Sequence, residues 1–486
     1  MNLSRIVERW AQHLPRKVAL HFHGSDISYA GLWDRILQAT QALSARSVAK
    51  GDRVAFLACN HPDMLVLLFA LSRLGAILVP LNWRLAAAEH RVIIADCAPR
   101  LLVCEAEFSA AAGTLGVPLL VLGAGWGECG HAAVHGEDAD DLLVVYTSGT
   151  TGKPKGAVLT QSALMWNAFN SIHAHDLSQS DHVLSPLPLF HVGGLNNQTL
   201  PALLAGATVT LHRRFDPGLW LADVAARRPT LSILVPATLQ AVISHPDWKR
   251  TDLSSLKMLN TGSMVVPESL LREFHTRGVP VGQIYGATET APIAAVLLKE
   301  DAMSQVGSTG KAALHCEIKV VAGEDGSEAG PGVVGEIWVR GPNVMRCYWN
   351  DPEATRAAFH EDWFKTGDLA RRDKNGFLWV AGRSKDLIIS GGENIYPAEL
   401  ENVLADCAEI AECAVIGIED PKWGEAACAC IVRKPGTVLD EARVLALFQD
   451  RLARFKHPRR VVFLETLPKN ALGKVQKPEL KKRLAA

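Results

Sequence analysis

The sequence predicts an α/β protein with a large first part built on parallel sheets and a small α+β tail. Three observations predict it. Strand-length apolar runs alternate with helical patterns through the first two thirds of the chain. From residue 318 the texture changes to short alternating strands around a loop rich in Gly, Glu and Asp. Beyond residue 383, helical stretches and strands recur in a compact tail. Length agrees, because 486 residues exceed one core and a prior of roughly 150 residues per domain gives about three units.

Each element has a local reason. Residues 1–20 read as an amphipathic helix broken by Arg5, Glu8, Arg9 and Arg16, unlike a secretion signal. Strands are expected at 54–58, 76–81, 100–104 and 119–122, with a helix near 62–73. The most membrane-like stretch, 64–81, carries Ser72, Arg73 and Gly75 and is interrupted at Pro80. It is therefore a core helix running into a buried strand, with no transmembrane segment. Residues 110–141 predict little. An apolar run at 142–146 is a buried strand, and a helix is expected near 160–172. Strands at 182–184, 208–211, 231–235 and 257–259 complete the two-sided parallel sheets. The pair 318–321 and 336–339, joined by 323–332, is expected to be antiparallel. The tail predicts helices at 398–407 and 441–452 and strands at 413–418, 427–432 and 460–464.

Composition narrows the function. Lys+Arg 50 against Asp+Glu 51 leaves a formal net charge of -1, so no global field draws nucleic acid or an anionic membrane. Ten cysteines occur without a pairing framework, which suits reduced thiols in a cytoplasmic protein. Cys129 with His131 and His135 is the one loose metal-like cluster, and it lacks a second nearby cysteine.

The most informative segment is 146–156, YTSGTTGKPKG, directly behind the 142–146 strand. Gly149 and Gly152 permit backbone geometries that turn successive N–H groups toward one point. Thr147, Ser148, Thr150 and Thr151 add hydroxyl donors, and Lys153 and Lys155 add charge. Such a loop suits a polyphosphate. It is not the Walker type, since only two residues separate its glycines and Pro154 stands where a magnesium-binding hydroxyl would be.

Five further segments follow in order: 188–194 (PLFHVGG), 285–290 (YGATET), 363–368 (WFKTGD), 382–386 (GRSKD) and 468–474 (PKNALGK). With the phosphate loop, this series resembles the adenylate-forming superfamily over roughly residues 29–477, and the run 390–397 (SGGENIYP) resembles its CoA ligase branch of fatty acyl and aryl-acid CoA ligases. The resemblance implies a large N-terminal AMP-binding domain over 1–382, with a small β-barrel-like part. It further implies a hinge at 383–387 and a small mobile α+β domain over 388–486.

It also implies chemistry. A monocarboxylic acid, fatty or aromatic, displaces pyrophosphate from ATP to give an acyl adenylate, which CoA then converts to a thioester with release of AMP. Residues 147–155 would hold the β and γ phosphates, Glu289 the magnesium, and Thr288 the α phosphate. Tyr285, with Gly286 and Ala287, would flank the adenine beside Gly262 and Ser263. Asp368 would accept the ribose hydroxyls, with Arg383 in support. Lys474 would bridge carboxylate and α phosphate, in a catalytic set with Glu289 and His191; His191 would shape the acyl entrance and is not assigned as a base. Lys385 would be the hinge about which the tail rotates, bringing Ser390, Gly391 and Gly392 to a CoA channel, with Trp423 on the CoA adenine and Arg454 or Lys456 at its phosphates. Pocket walls would include Val192, Gly193, Thr261, Gly286, Pro292 and Ile293, which offer no cation for a second carboxylate.

Singly, these residues mean less. Asp368 alone suggests a cap and Arg383 a surface cation, and Trp423 suits ordinary packing. Lys474 leaves the solvated cluster of Lys477, Lys481 and Lys482 only through the PKNALG frame before it. The rival readings are an adenylation enzyme that loads a carrier protein, an idle nucleotide-binding scaffold and a phosphotransferase that releases ADP. A homodimer is compatible with all of them.

Overall fold

The structure is a computed structural model describing residues 2–123, 125–127, 134–147, 154–264, 266–323, 326–391, 393–470 and 473–485. Two large sheets share one core. The first places Asp141–Thr147, Ile77–Pro80, Arg53–Leu57, Leu101–Cys104 and Leu119–Val121 side by side and parallel. Its other edge is antiparallel, formed by Lys155–Thr160 and Cys347–Tyr348. The second centres on the parallel strands Val281–Tyr285, Met258–Gly262, Leu231–Ile233, His182–Ser185, Thr208–Leu211 and Val18–Phe22.

The helix Pro62–Leu74 shows why this order folds. Proline opens it, the His61 ring accepts from the Asp63 N–H, and Gly75 closes it in the left-handed conformation that costs glycine little. Leu65, Leu67, Leu68, Phe69 and Leu71 are fully buried with side chains from both sheets, at about 1.5–3 kcal/mol each for the larger ones. Among the described residues no helix is long and apolar enough to cross a membrane.

A third, antiparallel sheet joins Glu317–Val321, Val334–Arg340, Phe359–His360, Trp363–Arg372 and Leu378–Arg383. The tail has its own sheet of Ile388–Ser390, Glu393–Ile395, Ile410–Asp420, Gly424–Arg433 and Arg460–Phe463, covered by the helix Pro397–Ala405 and a separate apolar core. Between these two sheets the chain makes a short turn, Ser384–Asp386.

Three expectations need correction. The helix near the start covers only Ser4–His13, and Val18–Phe22 is already a strand. The phosphate loop connects two antiparallel strands, because Lys155–Thr160 turns back along Asp141–Thr147 before the helix Gln161–His175 begins. In the tail the helix Glu441–Ala446 is half the expected length, and Asp450 beyond it adopts φ +60, which no α-helix continues through.

Candidate active site

Asp368 and Arg383 lie directly opposite each other in the register of Trp363–Arg372 and Leu378–Arg383. The guanidinium Nε stands 2.6 Å from Asp368 Oδ1, and Tyr285 Oη donates to Oδ2 at 2.9 Å. Each oxygen thus has one fixed donor and spare lone pairs. Asp368 is 7 % exposed, and burial pushes its carboxyl above the ordinary range against the opposing pull of Arg383, Tyr285 and Lys474. The Tyr285 hydroxyl rises well above its usual value, through burial first and then the neighbouring carboxylate. Gly367, at φ +70, donates its N–H to Glu336 Oε1 at 2.9 Å, which holds the turn that presents Asp368.

Glu289 sits in the short turn Thr288–Thr290 and is half-buried. Its Oε1 accepts from Tyr348 Oη at 2.7 Å, and no lysine or arginine pairs with it among the described residues. Tyr348 is placed by pairing with Ala157, one residue beyond Gly156, and Met345 N–H donates to the Glu289 carbonyl at 2.7 Å. Lys155 Nζ lies 5.2 Å from the centre of the Tyr348 ring. Thr147 faces Lys155 across the hairpin, so the two residues that bound the phosphate loop are neighbours. Ser148, Gly149, Thr150, Thr151, Gly152 and Lys153 lie outside the described residues.

Lys474 reaches the same place from the tail. It is open to water yet crowded by protein on most sides, and that crowding, with Arg383, lowers its pKa while Asp368 opposes the shift. The His191 ring is pushed down to about 4, by burial and then by Lys474. Its Nδ1 accepts from Gly193 N–H at 3.0 Å, so the neutral ring carries its proton on Nε2. Lys474 thus lies within electrostatic reach of Asp368 and Arg383 on one side and of His191 on the other.

Backbone closeness shapes the rest. A Cβ on Gly286 would fall 1.6 Å from the Pro292 carbonyl oxygen, and one on Gly262 would fall 2.4 Å from that of Ile284. Ser263 adopts φ +71, a conformation glycine takes more easily. Ala287 N–H is held by Thr290 Oγ1 at 2.9 Å, and Thr288 is buried. Val192, Gly193, Thr261, Pro292 and Ile293 are all buried.

On the tail, Gly391 packs against Trp423, whose carbonyl accepts its N–H at 2.7 Å, and buried Ser390 pairs with Gly424. Lys422 and Arg459 each stand 4.9 Å from the Trp423 ring centre. Arg454 is exposed at the start of a separate turn, and Lys456 is held by Glu399 at 2.6 Å. Lys385 is exposed within Ser384–Asp386. Gly392, Cys129 and His131 lie outside the described residues. Sequence reasoning missed Tyr348, Glu336 and Arg459; each depends on a strand register that no short motif encodes.

A family model described as AMP-binding enzyme matches residues 7–349, and one for the AMP-binding enzyme C-terminal domain matches 399–474. The chain belongs to the AMP-binding enzyme family. This AMP-binding enzyme is 50% identical to an indoleacetate–CoA ligase of Aromatoleum aromaticum, over 100% of this chain and 98% of the relative. It is 41% identical to a feruloyl-CoA synthase of Amycolatopsis sp., over 98% and 97%. Among solved structures, the o-succinylbenzoate CoA synthetase of Bacillus subtilis in complex with its acyl-adenylate intermediate superposes with a TM-score of 0.91 at 33% identity, over 98% and 97%. The AMP-binding enzyme described here is accordingly an acid–thiol ligase of the acyl-CoA synthetase branch, which uses ATP to activate a carboxylic acid.

Proposed function

We propose that this enzyme converts an aryl-substituted monocarboxylic acid, of the arylacetic or arylpropenoic kind, into its CoA thioester in the cytoplasm. The carrying observation is full-length identity of 50% and 41% to ligases of two such acids. The buried, uncharged walls Val192, Gly193, Pro292 and Ile293 agree with a neutral ring, and a dicarboxylate would find no cation there.

In the first half-reaction a carboxylate oxygen attacks the α phosphorus and pyrophosphate leaves. Lys474 neutralises the two anions as they approach, and its interaction with Asp368 and His191 supports a tail already placed for this step. Asp368 receives the ribose hydroxyls on lone pairs that Arg383 and Tyr285 leave open. The neutral His191 presents an Nε2–H toward the acid and carries no second, imidazolium proton to give up near neutral pH. Tyr285 and the Gly262–Ser263 and Gly286–Ala287 backbones flank the adenine, and the loop from Thr147 to Lys155 takes the outer phosphates.

The Glu289 corner fits magnesium, because its carboxylate is half-buried, oriented by Tyr348 and without a cationic partner among the described residues. Bound there, the ion would neutralise charge that gathers on the departing pyrophosphate.

In the second half-reaction the CoA sulfur attacks the acyl carbon, its proton passes to solvent and AMP leaves. Rotation about Lys385, between domains over 1–382 and 388–486, would withdraw Lys474 and bring Ser390, Gly391 and Gly392 to the thiol path. Trp423 would meet the CoA adenine, with Arg454 and Arg459 as candidates for its phosphates. A panel of indoleacetic, phenylacetic, ferulic, benzoic and fatty acids, scored for pyrophosphate release and CoA thioester, tests the proposal. Preference for a fatty acid over every aryl acid would defeat it.

A further inference from the structure

The turn Leu195–Thr199, one step beyond the His191–Gly194 segment, is a π-turn with three consecutive carboxamides, Asn196, Asn197 and Gln198. All three are buried, and none is in the set placed at the nucleotide. Their hydrogen bonds fix which way two of them point. Asn197 Nδ2 donates to the Gly193 carbonyl at 3.1 Å, so the free end is Oδ1. Gln198 Nε2 donates to Asn260 Oδ1 at 2.8 Å, and Asn260 is itself oriented by donating to the Gly282 carbonyl, so the free end is Oε1. Both oxygens, and both ends of the Asn196 amide, have no hydrogen-bond partner among the described residues.

Such burial without partners is costly, and structural residues avoid it. The row also adjoins the acyl side of the cleft. Gly193 is a pocket wall, and Asn167 links the Asn196 carbonyl, at 2.7 Å, to the N–H of Ile293, another wall, at 3.0 Å. Single π-turns of this sort commonly re-aim side chains at functional sites.

We propose that these carboxamides seat a hydrogen-bond donor on the acyl group, a ring N–H or O–H, with Asn197 Oδ1 as the acceptor behind Gly193. Two fixed acceptors and no fixed free donor favour a donor-bearing ring over one with only acceptors. A site that hydrogen-bonds a substrate N–H rejects the analogue lacking it, because the acceptor is then left bare.

This rests on the aryl-acid reading, and one assay separates the two. Pyrophosphate release is measured with indole-3-acetate and with its near-isostere 1-benzothiophene-3-acetate, which has no ring N–H. The wild type should favour the indole by about tenfold or more in kcat/KM. Asn197→Leu and Asn197→Ala should bring the ratio near unity by losing activity on the indole acid alone, with thermal melting as the check on folding. Equal kcat/KM in the wild type, which needs no variant, overturns the donor seat and leaves the aryl-acid reading standing. A ratio that persists in a folded Asn197 variant also overturns the assignment. Inactivity on both acids with activity on fatty acids overturns both readings.

Discussion

Arg383 Nε stands 2.6 Å from Asp368 Oδ1, on residues that face each other across two antiparallel strands. The pair ties the last strand before the Ser384–Asp386 turn to the buried Asp368 carboxylate. Arg383 therefore holds that carboxylate from the last strand before the turn into the tail.

Asp368→Asn keeps the shape but loses the charge and turns an acceptor into a donor. Hydrogen bonds to charged groups contribute roughly 1.5–3 kcal/mol, so kcat/KM for ATP should fall about ten- to a hundredfold. Acid-dependent ATP–pyrophosphate exchange measures it, and an unchanged KM for ATP would remove Asp368 from the nucleotide site.

Tyr348→Phe deletes the one hydroxyl that hydrogen-bonds the Glu289 carboxylate among the described residues. Partners that orient a metal-binding carboxylate typically matter by about ten- to a hundredfold in metal affinity. A magnesium titration of adenylation should show a loss in that range, with little change in thermal stability.

In the proposed role Lys474 acts while protonated, and crowding by the protein with Arg383 lowers its pKa from 10.5. Adenylation should therefore decline as pH rises, along a limb that lies below that of an ordinary lysine. In Lys474→Arg the side chain stays charged throughout, so whatever activity remains should lose this limb. A limb unchanged by that replacement belongs to another group.

His175, His182 and His191 each have their pKa lowered to about 4, mainly by burial. Unfolded histidines bind protons below about 6.5, whereas these take them up only near 4. Acid therefore favours the unfolded chain between those values, by at most on the order of 3 kcal/mol per ring. Chemical denaturation at pH 7 and pH 5 should show the lower stability at pH 5.

Much of the architecture could be read from the chain because its signals are local. The helix Pro62–Leu74 has a proline at one end and a glycine just past the other, and the strand Asp141–Thr147 carries the unbroken apolar run 142–146 before a glycine-rich loop. Asp368, Arg383 and Lys474 stood out through their motifs, and the structure pairs the first two and brings Lys474 within electrostatic reach of both. Antiparallel return of Lys155–Thr160 was not legible, since a short apolar run does not declare its pairing direction. The Tyr285–Asp368 and Tyr348–Glu289 bonds join residues 83 and 59 positions apart, and only the completed sheets set such distances.

In the proposed mechanism one site performs two half-reactions, and Lys474 serves only the first. Single-turnover assays of Lys474→Ala test it directly, with adenylation followed by pyrophosphate release and thioester formation followed from supplied acyl-AMP and CoA. Adenylation should fall by a hundredfold or more, on the order seen when a preorganised charge is removed, with thioester formation close to wild type. Equal loss in both half-reactions, or in neither, would contradict it.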